Sequence, residues 1–399
     1  MLESLAIQVR YLDKRVEIHL LGNHLLSNAK ALLFAGLVFR SKEAYLWFRK
    51  GFKLFDHELS EQVLADGGHF ELSPMYHSII LEDLLDIINL FKAYRQIVPR
   101  KWLKTIEKMY FWLQNMCHFD EEIAFFNDAA LGVAPTLHDL KEYQQRLNLL
   151  SSDHTIYKNK VDQKTLFLYL QNSGYCRLQN NNMLLLADVA NIGPSYQPGH
   201  AHADTLSFEL SIGKQRLIVN SGTSCYSNKK ERLRQRGSKA HNTLVIDGLD
   251  SSEVWKSFRV AHRAKIKSIK TSQSHDELFL SAIHDGYARL NNLLHSRTWR
   301  MRDHLLVIED EVLGSGLHKI DLIFHIHPDI QINQKNDRCM IFCNQFNQAI
   351  ASLEVNAILR VLDSSYHPMF NTSIPNKKIM VELKQQLPLC LNTSIKTII

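Results

Sequence analysis

The spacing of apolar residues changes near residue 160, and this change limits what the chain can fold into. Before it, four segments of about twenty residues repeat apolar positions every three or four residues, which predicts amphipathic helices. After it, short alternating runs between turn residues predict antiparallel strands. Helices followed by strands, without alternation of the two, disfavour doubly wound and (β/α)-barrel folds. We therefore expect a helical domain over residues 1–155 and an antiparallel β domain over residues 156–399.

The individual elements follow from the same spacing. The predicted helices cover 17–39, 42–64, 74–96 and 99–116. The predicted strands cover 164–170, 182–190, 205–213, 215–222, 242–248, 263–270, 277–286, 304–312 and 319–329.

The composition is that of a soluble globular protein of 399 residues, with 45% hydrophobic and 22% charged residues. The net charge of +6 is too mild to indicate nucleic acid; it suits an anionic ligand or a merely solvated surface. The first residues lack the apolar segment of a signal peptide, and no apolar run reaches membrane-spanning length, so we expect no membrane insertion. Six cysteines without CxxC spacing indicate neither a zinc ribbon nor a disulfide scaffold and leave the compartment open.

Two stretches of the helical half carry unexpected polar groups. In "LLGNHLL", Asn23 and His24 follow Gly22 and interrupt an otherwise apolar predicted helix. They are either buried core residues whose hydrogen bonds are satisfied or a functional pair. In "DGGHFELSPMYH", Ser73 before a proline predicts a helix N-cap, and Tyr76 lies in the first turn. The helix dipole there would favour anions and ease ionisation of the phenol. The alternative for Tyr76 is a packing residue.

The β half concentrates histidines and arginines at the ends of strands. In "PGHAHADTLSFEL", His200 and His202 alternate along an extended segment, so they would share one face, and Asp204 follows on that face. With His241 before another strand they could bind a metal ion, although the spacing is not a standard zinc signature. Arginines in "RLRQRG" fit a solvated loop or a site for acidic sugars; they are Arg232, Arg234 and Arg236.

Seven motifs occur in an order that resembles the heparinase II/III-like polysaccharide lyases, whose relatives include alginate and oligoalginate lyases. The motifs are "LLGNHLLSNAKALLFAG", "DGGHFELSPMYH", "FFNDAA", "PGHAHADTLSFEL", "VNSGTSCY", "AHNTLVIDG" and "IFHIHPD". The resemblance extends from about residue 5 to about residue 330. It implies an incomplete (α/α) toroid followed by an antiparallel β-sandwich, with the active site in the cleft between them.

The resemblance also implies a reaction, the cleavage of a uronic-acid-containing polysaccharide by β-elimination. Asn23 and His24 would neutralise the uronate carboxylate, and Tyr76 would protonate the leaving oxygen and, in a syn-elimination, also serve as the base. His200 would be a second carboxylate contact or the base, and Tyr226 is a weaker candidate for the base. His77, Arg232 and Arg236 are candidate substrate-binding residues. The polymer is not identified, and a non-catalytic carbohydrate-binding protein of the same fold is the alternative function.

Two departures from the family pattern shape further expectations. Family members often hold a structural zinc ion with two histidines and an aspartate; His202 and His241 match the histidines, but Asn220 stands at the aspartate position. An amide is a poorer zinc ligand than a carboxylate, so we expect little or no zinc. The chain also starts close to the first matching helix, near Glu17, so part of the toroid would be absent or supplied by a partner. The family suggests a periplasmic or cell-envelope location.

Overall fold

The computed structural model describes residues 2–149 and 165–398. Its helices within these ranges are α1 Leu2–Lys14, α2 Gly22–Val38, α3 Lys42–Gln62, α4 Pro74–Ala93, α5 Arg100–Asn115, α6 Leu137–Arg146 and α7 Lys229–Arg236, with a 3-10 turn at Ser238–Ala240. The predicted domain boundary after residue 155 lies outside the described residues. None of the helices in the described ranges is long and apolar enough to cross a membrane.

The strands follow the helices, as predicted. They are β1 Leu166–Leu170, β2 Tyr175–Gln179, β3 Met183–Asp188, β4 Phe208–Ile212, β5 Gln215–Ile218, β6 Leu244–Ile246, β7 Val254–Trp255, β8 Arg259–Val260, β9 Ile266–Gln273, β10 Leu278–His284, β11 Leu294–Arg302, β12 Leu305–Leu313, β13 Leu317–Ile326, β14 Gln331–Asn336, β15 Cys339–Cys343, β16 Ala349–Val355, β17 Leu359–Tyr366, β18 Ile374–Gln386 and β19 Leu389–Thr397.

The strands form two large antiparallel sheets and one small hairpin. Sheet A has the order β1-β2-β3-β4-β5-β13-β18-β17, with β6 also paired to β13. Sheet B has the order β14-β15-β16-β19-β12-β11-β10-β9. Strands β7 and β8 form a separate hairpin.

Sheet A is buried on both faces where the helices cover it. Leu185 of β3 belongs to the core shared with sheet B, together with Trp299 of β11. Its neighbours Leu184 and Leu186 face the other way and pack with Trp112 of α5. Because successive side chains of a strand point to opposite faces, a strand between two apolar layers is apolar throughout. This placement brings the ends of the helices next to the loops of sheet A, where the site lies.

The main differences from the predicted elements lie at the start of α2 and in elements that were not predicted. The predicted helix over 17–39 begins only at Gly22, because Leu21 and Gly22 both take a φ of 57°. Helices α1, α6 and α7 were not predicted from the sequence, nor were strands β2, β7, β8, β11 and β14 to β19. The predictions for α3, α4 and α5 agree with the structure to within about three residues.

Candidate active site

A cleft of about 1170 Å³ opens between the helical residues and the loops of sheet A. Asn23, His24, Tyr76, His200 and Tyr226 all line it, so the five candidate catalytic residues meet in one place. The remaining lining residues are His19, Leu20, Tyr196, Gln197, Pro198, Gly199, Lys229, Lys256, Ser257, Phe258, Arg259, Val260 and Arg263.

Asn23 and His24 lie in the first turn of α2 rather than in its interior. The helix starts there because Leu21 and Gly22 have left-handed backbone conformations. The backbone N–H of Asn23 donates to Glu71 Oε1 at 3.3 Å. Gly22 has a φ of 57°, which favours glycine, and an added Cβ would meet Glu71 Oε1 at 2.6 Å, so Glu71 would have to shift. Of the two interpretations of this pair, the buried core pair is wrong, because Asn23 is only half-buried, His24 is exposed, and both line the cleft.

Tyr76 and Tyr226 form a pair of phenols across the cleft. Ser73 caps α4 as predicted, with its side chain accepting from the Tyr76 amide at 3.2 Å. The two phenol oxygens are 3.0 Å apart. Burial raises the pKa of both phenols, most of all that of Tyr226. The expectation that the helix end eases ionisation of Tyr76 is therefore not met, because burial disfavours the charged phenolate. Both phenols are protonated at neutral pH.

His200 is oriented by a buried carboxylate. Its Nδ1 lies 2.8 Å from Asp128 Oδ2, and its ring packs on Tyr76 with 3.9 Å between centroids. Its Nε2 lies 3.5 Å from Glu71 Oε2. A hydrogen bond at one ring nitrogen determines the role of the other. Because Nδ1 is held by Asp128, Nε2 is the ring nitrogen that can exchange a proton with a ligand.

Asp128 is the residue that sequence reasoning missed. It is fully buried and pairs with His200, with His202 Nε2 at 2.8 Å, and with the guanidinium of Arg232. Burial opposes its ionisation, but Arg232 and the two histidines outweigh burial and hold the Asp128 pKa well below its usual range. The available signal was an acid inside the apolar motif "FFNDAA", since a buried charge requires partners. Those partners are 72 to 104 residues away in sequence.

Three predicted substrate-binding residues do not reach the cleft. His77 is fully buried, with Nε2 2.8 Å from the Met109 carbonyl, because one residue along a helix turns the side chain about 100° away from Tyr76. Arg232 and Arg236 lie on α7 rather than on a solvated loop, and both are fully buried. Their guanidinium groups bind Asp128 and backbone carbonyls instead of solvent.

Two family models match the chain in succession. The heparinase II/III N-terminus model matches residues 1–157, and the heparinase II/III-like C-terminal model matches residues 162–394. The chain belongs to the heparinase II/III family. The resemblance seen in the motifs is thereby confirmed.

Several proteins to which this chain is similar are named as lyases. A heparin-sulfate lyase of Bacteroides stercoris is 28% identical over 344 residues, covering 82% of this chain and 49% of that protein. The heparan sulfate lyase HepC from Pedobacter heparinus has a TM-score of 0.77 at 20% identity, covering 99% of this chain and 63% of that one. A heparinase III structure has a TM-score of 0.82 at 18% identity, covering 99% and 64%. The chain spans about half the length or less of the curated relatives it matches.

Asp204 joins His202 and His241, two of the predicted metal ligands, as a further candidate ligand. The ligand atoms of these three residues lie within 4.8 Å of one another. The Asn220 side-chain oxygen instead accepts from Asn242. His202 Nδ1 and His241 Nε2 are 3.3 Å apart, and burial lowers the pKa of these imidazoles to about 4 and about 3. Two neutral imidazoles and a carboxylate fit the ligand chemistry of zinc.

One wall of the cleft in this heparinase II/III chain is cationic, which sequence reasoning also missed. Lys229, Lys256, Arg259 and Arg263 line it, and the described residues contribute no aspartate or glutamate to the lining. None of the four cations forms an ion pair with another described residue. A cleft with charges of one sign concentrates ligands of the opposite sign.

Proposed function

We propose that this protein is a polysaccharide lyase that cleaves a uronic-acid-containing polysaccharide by β-elimination. The observation that carries the proposal is the meeting of Asn23, His200 and the Tyr76–Tyr226 pair in one cleft. The family and the named lyases among its relatives support the same reaction. An acidic polysaccharide is thus the proposed partner.

The substrate carboxylate would lie between the first turn of α2 and His200. Asn23 and His24 present polar side chains there, and the helix N-terminus adds positive potential. When the C5 proton leaves, negative charge spreads onto the carboxylate, so donors at this position stabilise the transition state more than the bound substrate.

The protons then move between named groups. The base takes the proton from C5, the C5–H electrons form the C4=C5 double bond, and the C4–O4 bond breaks. Tyr76, kept protonated by burial, donates its proton to O4. His200 Nε2 is our choice of base, because Asp128 occupies Nδ1; Tyr226 is the alternative. The 3.0 Å contact between Tyr76 and Tyr226 gives a path for reprotonation of Tyr76.

Three finer features belong to this proposal. The α2–α3 and α4–α5 hairpins are the described part of an (α/α) toroid, and sheets A and B form the β-sandwich. Zinc, where bound, would be held by His202, Asp204 and His241 and would brace the segment that presents His200. The proposal also includes a periplasmic or cell-envelope location, which the resemblance to the family suggests.

The test is a panel of acidic polysaccharides followed by the ultraviolet absorbance of the new C4=C5 bond. The panel includes heparan sulfate, alginate and a bacterial exopolysaccharide that contains uronate. Growth of absorbance with one polymer supports the lyase. Binding of a polymer without any new double bond would instead indicate a non-catalytic carbohydrate-binding protein.

A further inference from the structure

The hairpin of β7 and β8 places most of the cleft cations. Lys256 lies in its turn, Arg259 begins β8, and Arg263 follows the hairpin, while Lys229 faces them from the start of α7. The side chains of Lys256 and Arg259 are exposed. Four cations in one cleft repel one another in the free protein, so an anionic ligand would relieve an unfavourable interaction there.

Two buried arginines hold the hairpin in place through hydrogen bonds to its backbone. Arg232 Nε donates to the Ser257 carbonyl at 3.0 Å, and Arg236 donates to the Lys256 carbonyl at 3.1 Å. Arg232 also pairs with Asp128, the residue that orients His200. The turn of the hairpin is therefore tied to the same network as the candidate base, and it is not a free loop.

The hairpin also touches the candidate catalytic side chains. Phe258 packs its ring against Tyr226 and His200, with centroid distances of 5.4 and 6.2 Å. Its ring is 42% exposed and borders the cleft. A sugar chain whose reacting unit lies at Tyr76 would have its neighbouring unit beside this hairpin.

We propose that the β7–β8 hairpin is a specificity element that binds sulfate groups on the sugars next to the cleaved bond. This inference rests on the proposed lyase function. The reacting carboxylate already has Asn23 and His24, so the four cations can serve negative charge beyond that one group. A guanidinium group can donate two parallel N–H hydrogen bonds to two oxygens of a sulfate group, as it does to phosphate. Lys256 and Arg259 are the two exposed cations that lie on the hairpin itself.

The experiment compares Lys256→Gln/Arg259→Gln with a matched control, Lys335→Gln/Arg338→Gln. The control removes the same two charges at exposed positions on and beside β14, outside the cleft. Initial rates are measured on heparan sulfate, on the same polymer after chemical desulfation, and on alginate, at low and high salt. The second and third substrates separate sulfate from carboxylate as the recognised anion.

We expect KM for heparan sulfate to rise roughly tenfold in the hairpin variant, equivalent to about 1.4 kcal/mol of binding, with kcat within about twofold. This rise in KM should be larger on heparan sulfate than on the desulfated polymer, and it should become smaller at high salt. Equal losses on all three polymers, or the same loss in the control, would overturn the inference.

If the wild-type protein cleaves none of the polymers, the lyase proposal fails and binding decides the inference. Calorimetric titration with heparan sulfate oligosaccharides would then compare the same variants. Weaker binding in the hairpin variant alone supports the sulfate site, and equal binding by wild type and both variants refutes it.

Discussion

Replacement of Tyr76 by phenylalanine tests the proposed chemistry most directly. Tyr76→Phe removes the transferable proton but keeps the ring that packs on His200 at 3.9 Å between centroids. It also removes one hydrogen bond, the 3.0 Å contact with Tyr226. The substitution therefore separates the role of the hydroxyl group from the packing of the ring.

The structure predicts a large effect on turnover and a small effect on folding. A positioned general acid contributes about 10²- to 10⁴-fold, so kcat should fall by at least about 100-fold, or about 2.7 kcal/mol in activation free energy. One neutral hydrogen bond contributes only about 1 kcal/mol to the free energy of unfolding. The loss of activity should therefore far exceed any loss of stability.

The assay is the rate of C4=C5 bond formation on the best substrate of the panel, beside a thermal unfolding curve. Tyr143→Phe is the matched control, because the Tyr143 hydroxyl donates to Asp86 at 2.7 Å outside the cleft. That variant should lose at least as much stability, because its hydroxyl donates to a carboxylate and accepts from Asn89, and it should keep its turnover. Turnover near wild type in Tyr76→Phe would remove this phenol from the mechanism.

Three further predictions concern the carboxylate site, acid stability and metal binding. Asn23→Ala should lower kcat by about tenfold or more, since its contact strengthens in the transition state; a change in KM alone would make Asn23 a ground-state binder. Burial lowers the pKa of both His77 and His325 to about 3, so the unfolded chain binds protons that these folded histidines do not. Stability should therefore be lost as pH falls from about 6.5 toward 4, and a Tm that stays flat over that range contradicts this. With Asp204 as a carboxylate ligand, we revise the expectation of little or no zinc, which rested on Asn220. Elemental analysis after dialysis should find about one zinc per chain, lost in His241→Ala; a metal-free protein would support the original expectation.

Local sequence signals were sufficient for the helix that carries Tyr76. The Ser73 cap, the proline after it and the apolar spacing correctly predicted the start of α4. These features depend only on neighbours in the chain. The start of α2 could not be predicted in this way, because it depends on left-handed backbone at Leu21 and on Glu71, which is distant in sequence.

The buried charged residues of the site could not be predicted from local sequence. The arginines of "RLRQRG" looked like a loop, since a helix with two fully buried guanidinium groups is rare unless they are paired. Arg232 is buried because Asp128 lies against it, and Asp128 is ionised because Arg232 and two histidines surround it. Each burial is understandable only once the other is known, so no single segment indicates it.

The alternating histidines show how one local pattern can carry two different roles. His200 and His202 precede β4 in an irregular segment rather than on a strand, so the expectation that they share one face is wrong, although both contact Asp128. Each uses a different oxygen of Asp128, Oδ2 for His200 and Oδ1 for His202. His200 thereby faces the cleft, while His202 faces His241 in the interior. Because Arg232 joins this carboxylate to the β7–β8 hairpin as well, one buried charge positions the candidate base, the candidate metal ligands and the cationic wall together.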